Sequence, residues 1–252
     1  MYSVIIPSLG RVEFLNKLLE SIYKQNIKPL EILILLNDNI FCRSAENKIH
    51  KNELCKIIFC NDMNLAKKRN FGSNLAKTNF IMFSDDDDIW EPNKGQQVLE
   101  SLKNNDAVTH DFTKFGSKYY GKKLLLGNKN KILKIESLLR GTNVYGGGSS
   151  ISAKKQVFLS FPFNENLSYC EDYEWWIRVI ISEIKVKYIA LPLVRYRTHQ
   201  TNMTSRQWTM FYYKIKIFFS LLYKSFLISI ASLVGITKAS ISLMINLIKN
   251  IF

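Results

Sequence analysis

Four consecutive carboxylates, Asp85 to Asp88, follow one residue after the apolar run FIMF at Phe80 to Phe83. Like charges at the end of a buried strand repel one another and are costly unless water or a cation takes up their charge. Alternate members, Asp85 and Asp87, are spaced to converge on one hard divalent ion, Mn2+ or Mg2+, which completes its oxygen shell with water and phosphate. A solvated acidic turn capping the helix that starts near Pro92 accounts for the same residues, and the spacing alone leaves both readings open. A second acidic pair, Glu171 and Asp172, opens an aromatic-rich stretch containing Trp175 and Trp176. Acids at that place suit the positive end of a helix. The two indole faces suit stacking on a sugar, although helical spacing makes one of them a core residue.

Groups of this kind act only if the chain brings them to one place, and the apolar pattern says how. SVIIP at Ser3 to Pro7, EILILL at Glu31 to Leu36, IIFC at Ile57 to Cys60 and FIMF read as buried strands. Val12, Leu15, Leu18, Leu19 and Ile22 recur at helical spacing, and Asn61 to Lys77 offers capping residues followed by a helix. Pro92 suits the first turn of another helix, with Val98, Leu99 and Leu102 as its core face. Further on, Ala107 to Phe112 and Lys187 to Leu191 read as strands, Lys114 to Lys134 as a polar loop or hairpin, and Gly146 to Gly148 as a tight connection. Tyr173 to Ile184 reads as a helix opened by Glu171 and Asp172. Strands alternating with helices predict an α/β, doubly wound, mostly parallel sheet, with ligands outside the carboxyl ends of the strands. The carboxylates after FIMF stand at such an end.

Three stretches, SVIIPSLGR, NLAKKRNFGSNLAKTNFIMFSDDDDIWEPNK and YCEDYEWWIR, occur in an order that resembles the family 2 inverting glycosyltransferases of GT-A fold, over residues 1 to about 200. The resemblance implies a glycosyltransferase domain over residues 1–204, with a donor-binding half of about 1–110 and an acceptor-binding half of about 111–204. It implies a nucleotide-sugar donor, UDP-linked, whose hexosyl or N-acetylhexosaminyl group passes to a hydroxyl of a growing, lipid-linked glycan. The setting it implies is bacterial lipooligosaccharide, capsule or other surface polysaccharide synthesis. Carried over residue by residue, Asp85 and Asp87 hold Mn2+ or Mg2+ with His199 as a further ligand, and Asp85, Asp86 and Arg69 meet the donor diphosphate. Pro7, Ser8 and Arg11 wall the base pocket, and Arg197 lies near the diphosphate or the metal. Asp172 is the general base, with Glu171, Trp175 and Trp176 toward the acceptor. The chain departs from the family after the second strand, where two Asp commonly hold the nucleobase and here Leu36, Asn37 and Asp38 stand; Asp38 substitutes by a shift of one residue.

Composition narrows the remaining classes. With 47% hydrophobic and 22% charged residues, the 252-residue chain folds around a sizeable core rather than staying disordered. Its four Cys form no Cys-x-x-Cys pair and no secretion signal precedes the first strand, so reduced thiols and a cytoplasmic address are expected. The formal charge of +14 is uneven: no acidic residue follows Glu183, while ten Lys and Arg do, which leaves +4 on the first 183 residues. Residues 205–252 then read as a basic, apolar tail of amphipathic helices. Its longest uncharged run, Ser225 to Thr237, has 13 residues, short of the roughly 20 a spanning helix needs. On a wheel of about 100° per residue, Lys216, Lys224, Lys238 and Lys249 share one edge, which suits lying on an anionic membrane surface at its cytoplasmic face. The rival readings are weaker. A sugar-1-phosphate nucleotidyltransferase needs a Gly-rich loop after the first strand, which is missing, and no nucleic acid is expected as partner because no DNA or RNA module is recognisable. A catalytically silent membrane scaffold keeping the fold is the third.

Overall fold

The computed structural model describes residues 1–116, 138, 143, 145–182, 184–199, 202–203 and 206–222. Within them, β1 (Ser3–Pro7), β2 (Glu31–Asn37), β3 (Cys55–Cys60), β4 (Phe80–Phe83), β5 (Ile89–Trp90), β6 (Ala107–Gly116), β7 (Ser152–Lys154) and β8 (Val186–Thr198) form one sheet. Its order is β3-β2-β1-β4-β7-β6-β8-β5. The pairs β1 with β2, β1 with β4, β2 with β3 and β6 with β8 are parallel, whereas β7 joins the two halves antiparallel and β5 lies antiparallel on β8.

The central strands are continuous apolar runs because both faces of the sheet are covered. Ile5, Leu33, Leu35, Ile81 and Phe83 enter one core, and alternating with them Val4, Ile6, Ile32, Ile34, Leu36 and Met82 enter the other. Helix α1 (Val12–Tyr23) closes the second core with Leu15, Leu18, Leu19 and Ile22. Helix α3 (Leu65–Leu75) covers the first, and Gly72 sets its distance, since a Cβ there would lie 2.6 Å from Ile5 Cγ2. The close approach matters because α3 carries Lys68 and Arg69.

Four elements were not expected: α2 (Ile40–Glu46), β5, β7 and α5 (Lys155–Ser160). Each is short, and β7 reads SAK, with no apolar run to mark it. Helix α4 is Lys94–Leu102 and α6 is Glu171–Ile181. Strands β6 and β8 run further than their apolar segments, past a register shift at Asp111, and so carry Arg195 and Arg197 on paired backbone. Most of the expected loop at 114–134 lies outside the described residues.

The expected tail begins, within the described residues, with a helix that touches the core. Helix α7 (Gln207–Leu222) packs on the core: Ile217 and Phe218 are buried and Phe218 meets the Tyr173 ring edge-on at 6.3 Å. Its opposite side stays open, with Trp208, Tyr212 and Phe219 about 60% exposed (61%, 62% and 59%). Among the described residues no helix is long and apolar enough to cross a membrane. The lysines at 224, 238 and 249 lie outside them.

Candidate active site

A cavity of about 670 Å³ opens at the carboxyl ends of β1 and β4. Its floor is the acidic turn after β4; α3 forms one side, the start of α6 faces it, and Met203, Arg206, Met210 and Lys214 wall the far end. Pro7, Ser8, Arg11, Arg69, Asp85, Asp86, Asp87, Glu171 and Asp172 all line it.

The four carboxylates have four different settings. Asp86 is a structural tie: its Oδ2 accepts from Ser8 Oγ at 2.5 Å and from the Leu9 amide at 3.2 Å, and Oδ1 pairs with Arg11. Asp87 Oδ2 accepts from Arg11 Nη2 at 3.0 Å and lies 2.8 Å from His199 Nε2. Asp85 receives Arg69 Nη2 at 3.0 Å on its carboxylate, and its amide donates to Ser149 Oγ at 2.9 Å. Burial pushes the Asp85 carboxyl up to about 6, with Arg69 opposing the rise and Asp87 adding to it. Asp88 is fully buried; Oδ1 accepts from the Arg197 amide at 3.0 Å, and burial, then Asp87 and Asp85, hold its carboxyl well above the usual range.

Two buried lysines support the turn, and neither was singled out from the sequence. Lys68 donates to the Ser8 carbonyl at 2.8 Å. Lys94, 0% exposed, donates to the Ser149 carbonyl at 2.6 Å and sits 3.7 Å above the Trp90 ring. Burial lowers both ammonium groups, Lys94 strongly, while Asp88 and Asp85 pull Lys94 back up. Ser149 thus links Lys94 to Asp85. In the sequence Lys68 is one of a basic run and Lys94 a single lysine after Pro92, so neither carried a signal.

Arg69 joins the two halves of the cavity. It is 1% exposed, and its Nη1 donates to Glu171 Oε1 at 2.5 Å while Nη2 holds Asp85. Gly148 has no side chain where these groups meet, and a Cβ there would lie within 2.4 Å of both Arg69 Nη2 and Asp85 Oδ1.

Helix α6 starts from Cys170, which adopts φ 61°, a left-handed conformation that costs a non-glycine residue energy and sharply turns the chain into the helix. The turn sends Asp172 to the cavity. Its Oδ1 accepts from the Tyr173 amide at 2.7 Å and its Oδ2 from Asn143 Nδ2 at 3.2 Å. Burial first, and then Glu171, push its carboxyl up to about 7, against the pull of Arg69. A carboxylate of that basicity at a cavity wall suits accepting a proton near neutral pH.

Five expected site residues, Trp175, Trp176, Asp38, Arg197 and His199, are not among those lining the cavity. Trp175 and Trp176 are 0% exposed: Trp175 stacks among Phe158 and Phe163 and donates to the Phe161 carbonyl at 2.7 Å, and Trp176 lies 5.0 Å from the Tyr145 ring. Both are core residues, so neither offers a face to an acceptor. Asp38 lies outside the cavity lining, its carboxylate on Arg43 Nε at 2.5 Å and Nη2 at 2.9 Å. Arg197 packs between Phe14 and Phe115 and donates to the Asp87 carbonyl at 2.8 Å, which makes it a support of the turn.

Among the described residues no three His, Cys, Asp or Glu side chains close a metal cage by themselves. A partial donor set is present. His199 Nε2 and Asp87 Oδ2, 2.8 Å apart, are close to the roughly 3.0 Å that separates adjacent ligands of an octahedral ion bound at about 2.1 Å; Asp85 and Asp87 line the cavity, whereas His199 stands outside its lining, against Asp87.

Residues 3–158 match the family model described as Glycosyl transferase family 2. An uncharacterized glycosyltransferase of Haemophilus influenzae is 24% identical over 213 residues, which cover 81% of this chain and 70% of that protein. The Escherichia coli UDP-Glc:alpha-D-GlcNAc-diphosphoundecaprenol beta-1,3-glucosyltransferase WfgD is 25% identical over 82% of this chain and 84% of its own length. Staphylococcus aureus TarS 1-349, solved in complex with UDP, superposes with a TM-score of 0.63 at 16% identity, which is a likeness of fold; it covers 88% of this chain, and this chain spans 65% of it.

Proposed function

The chain belongs to glycosyltransferase family 2, and from that premise we propose that it is a metal-dependent inverting enzyme that moves a hexosyl or N-acetylhexosaminyl group from a UDP-sugar to a growing, lipid-linked surface glycan. The observation that carries the reading is one cavity with an acidic turn on its floor and, at the start of α6, a carboxylate of near-neutral basicity. Asp172 takes the proton of the acceptor hydroxyl as that oxygen bonds to the anomeric carbon and the bond from that carbon to the diphosphate oxygen breaks. Asn143 and the Tyr173 amide orient the carboxylate. Asp85, Asp87 and His199 would hold Mn2+ or Mg2+, which when bound takes up charge on the departing diphosphate. The relatives support the substrate class: WfgD is named for transfer from UDP-Glc to a diphosphoundecaprenol-linked sugar, and TarS was solved with UDP and with UDP-GlcNAc.

Binding of UDP, GDP, CDP, ADP and dTDP, measured by calorimetry with Mn2+ and with chelator, tests the donor end. The expected result is tightest binding of UDP and at least a tenfold loss of affinity in chelator. Equal affinity in both solutions would remove the metal from the reading.

The acceptor side of the proposal places the enzyme on the cytoplasmic face of the membrane through α7 and the residues after it. One face of α7 is core, and the exposed Trp208, Tyr212 and Phe219, with Lys216 nearby, suit the interface of an anionic leaflet. Replacing Trp208, Tyr212 and Phe219 with Ser should release the protein from anionic vesicles in flotation and leave transfer to a short soluble acceptor within about twofold. Truncation at residue 205 should instead lower stability, because it uncovers the Tyr173 packing of Phe218. Vesicle binding unchanged in the triple variant would refute the placement of this face.

A further inference from the structure

Asp87 Oδ2 is claimed twice by protein groups, by Arg11 Nη2 at 3.0 Å and by His199 Nε2 at 2.8 Å, and the same ring nitrogen lies 3.1 Å from Arg11 Nη1. A single imidazole nitrogen serves only one of these neighbours. Carrying its proton, it donates to Asp87 and opposes the Arg11 N–H; without it, it accepts from Arg11 and opposes the carboxylate oxygen. A divalent ion held by Nε2 and Oδ2 would remove the conflict, provided the guanidinium leaves that oxygen.

The surroundings of Arg11 suit departure. Each guanidinium faces two carboxylates, but the Arg11 side chain is 31% exposed against 2% for Arg69. Its Nε is buried without a hydrogen-bond partner, so the present position leaves one donor unused. Asp86, its other partner, keeps the Ser8 hydroxyl and the Leu9 amide when Arg11 moves away. Asp87 keeps His199. No carboxylate is therefore orphaned by the exchange.

We propose that Arg11 is an exchangeable internal cation of the acidic turn: it neutralises Asp87 in the free protein and passes to the donor diphosphate when a divalent ion takes that carboxylate. The proposal rests on the reading of this cavity as a metal and donor site, and adds that metal and nucleotide bind with positive coupling through one side chain. Metal entry without a diphosphate leaves Arg11 with Asp86 alone of its two carboxylates, and diphosphate entry without metal draws it off Asp87 and leaves that carboxylate short of charge. Each ligand therefore lowers the cost of the other, by the same factor in either order.

The test is Mn2+ binding to the full chain, followed by electron paramagnetic resonance, with and without UDP or whichever of the five diphosphates binds best. Wild type should bind Mn2+ at least tenfold tighter with the diphosphate. Arg11→Gln should bind Mn2+ alone about tenfold tighter than wild type and gain correspondingly less from the diphosphate, keeping only the part that direct attraction between metal and diphosphate supplies. Arg11→Lys, which keeps the charge without the fork, should fall between them and serves if the Gln variant does not fold. Wild-type coupling with unchanged Mn2+ affinity and coupling in the Arg11 variants overturns the exchange and spares the site; absence of Mn2+ binding in wild type, with and without diphosphate, overturns both.

Discussion

Asp172→Asn is expected to abolish sugar transfer, by about 10²-fold or more, while nucleotide binding stays within about twofold of wild type. The amide keeps the size and the contact to the Tyr173 amide but has no basic lone pair of comparable strength, so the acceptor proton has nowhere to go. For wild type, kcat/KM for transfer should rise with pH and level off above about 7, where the carboxyl is ionised. Stability should run the opposite way. The folded chain holds the Asp172 proton up to about pH 7, whereas the unfolded chain releases it near the ordinary 3.8, so this group makes the protein less stable as pH rises between those values. Asp172→Asn is free of that penalty and should melt higher than wild type at pH 8, with the gap closing toward pH 4. Near-normal turnover by this variant would dismiss Asp172 as the base. A gap in melting temperature that does not narrow toward pH 4 would dismiss the burial account of its basicity.

Replacing Arg69 with Met should have the largest effect on stability. The substitution removes the partner of Glu171, which is 5% exposed, and one hydrogen bond of Asp85. Breaking a buried pair from one side costs about 3–5 kcal/mol, which for a chain of this length is a fall in Tm on the order of 10 °C. Arg69→Lys should recover only part of it, because an ammonium cannot reach both carboxylates with a planar fork. The double variant Arg69→Met with Glu171→Gln should regain stability relative to the single one, since the orphaned charge is gone. A melting temperature within 2 °C of wild type for Arg69→Met would show that the two carboxylates do not depend on this clamp.

The strands β1 and β4 were legible to the residue because their central residues are buried on both faces and must be apolar. Helices α1 and α6 were legible from their periodicity, within a few residues at the ends. The short β7 was hidden because three residues of SAK carry no period. The far half of β8 was hidden because it leaves the core to border the cavity and alternates Arg and Tyr there, so hydrogen bonding to β6 holds it in the sheet rather than apolar burial.

The same division runs through the site. By itself the sequence determined which carboxylates stand at a strand end and at a helix start, because both places follow from local patterns of burial and capping, and it carried the family resemblance that the match over residues 3–158 bears out. Partners, by contrast, were decided by tertiary structure alone. Arg69 reaches Glu171 across 102 positions and His199 reaches Asp87 across 112, distances over which no local pattern reports contact. The two tryptophans show the limit of local reading most directly: adjacent residues on one helix point in different directions, and only the packing of α5, the 158–163 segment and Tyr145 against α6 places both indoles inside. Burial is a property of what surrounds a side chain, and those surroundings come from segments far away in the chain.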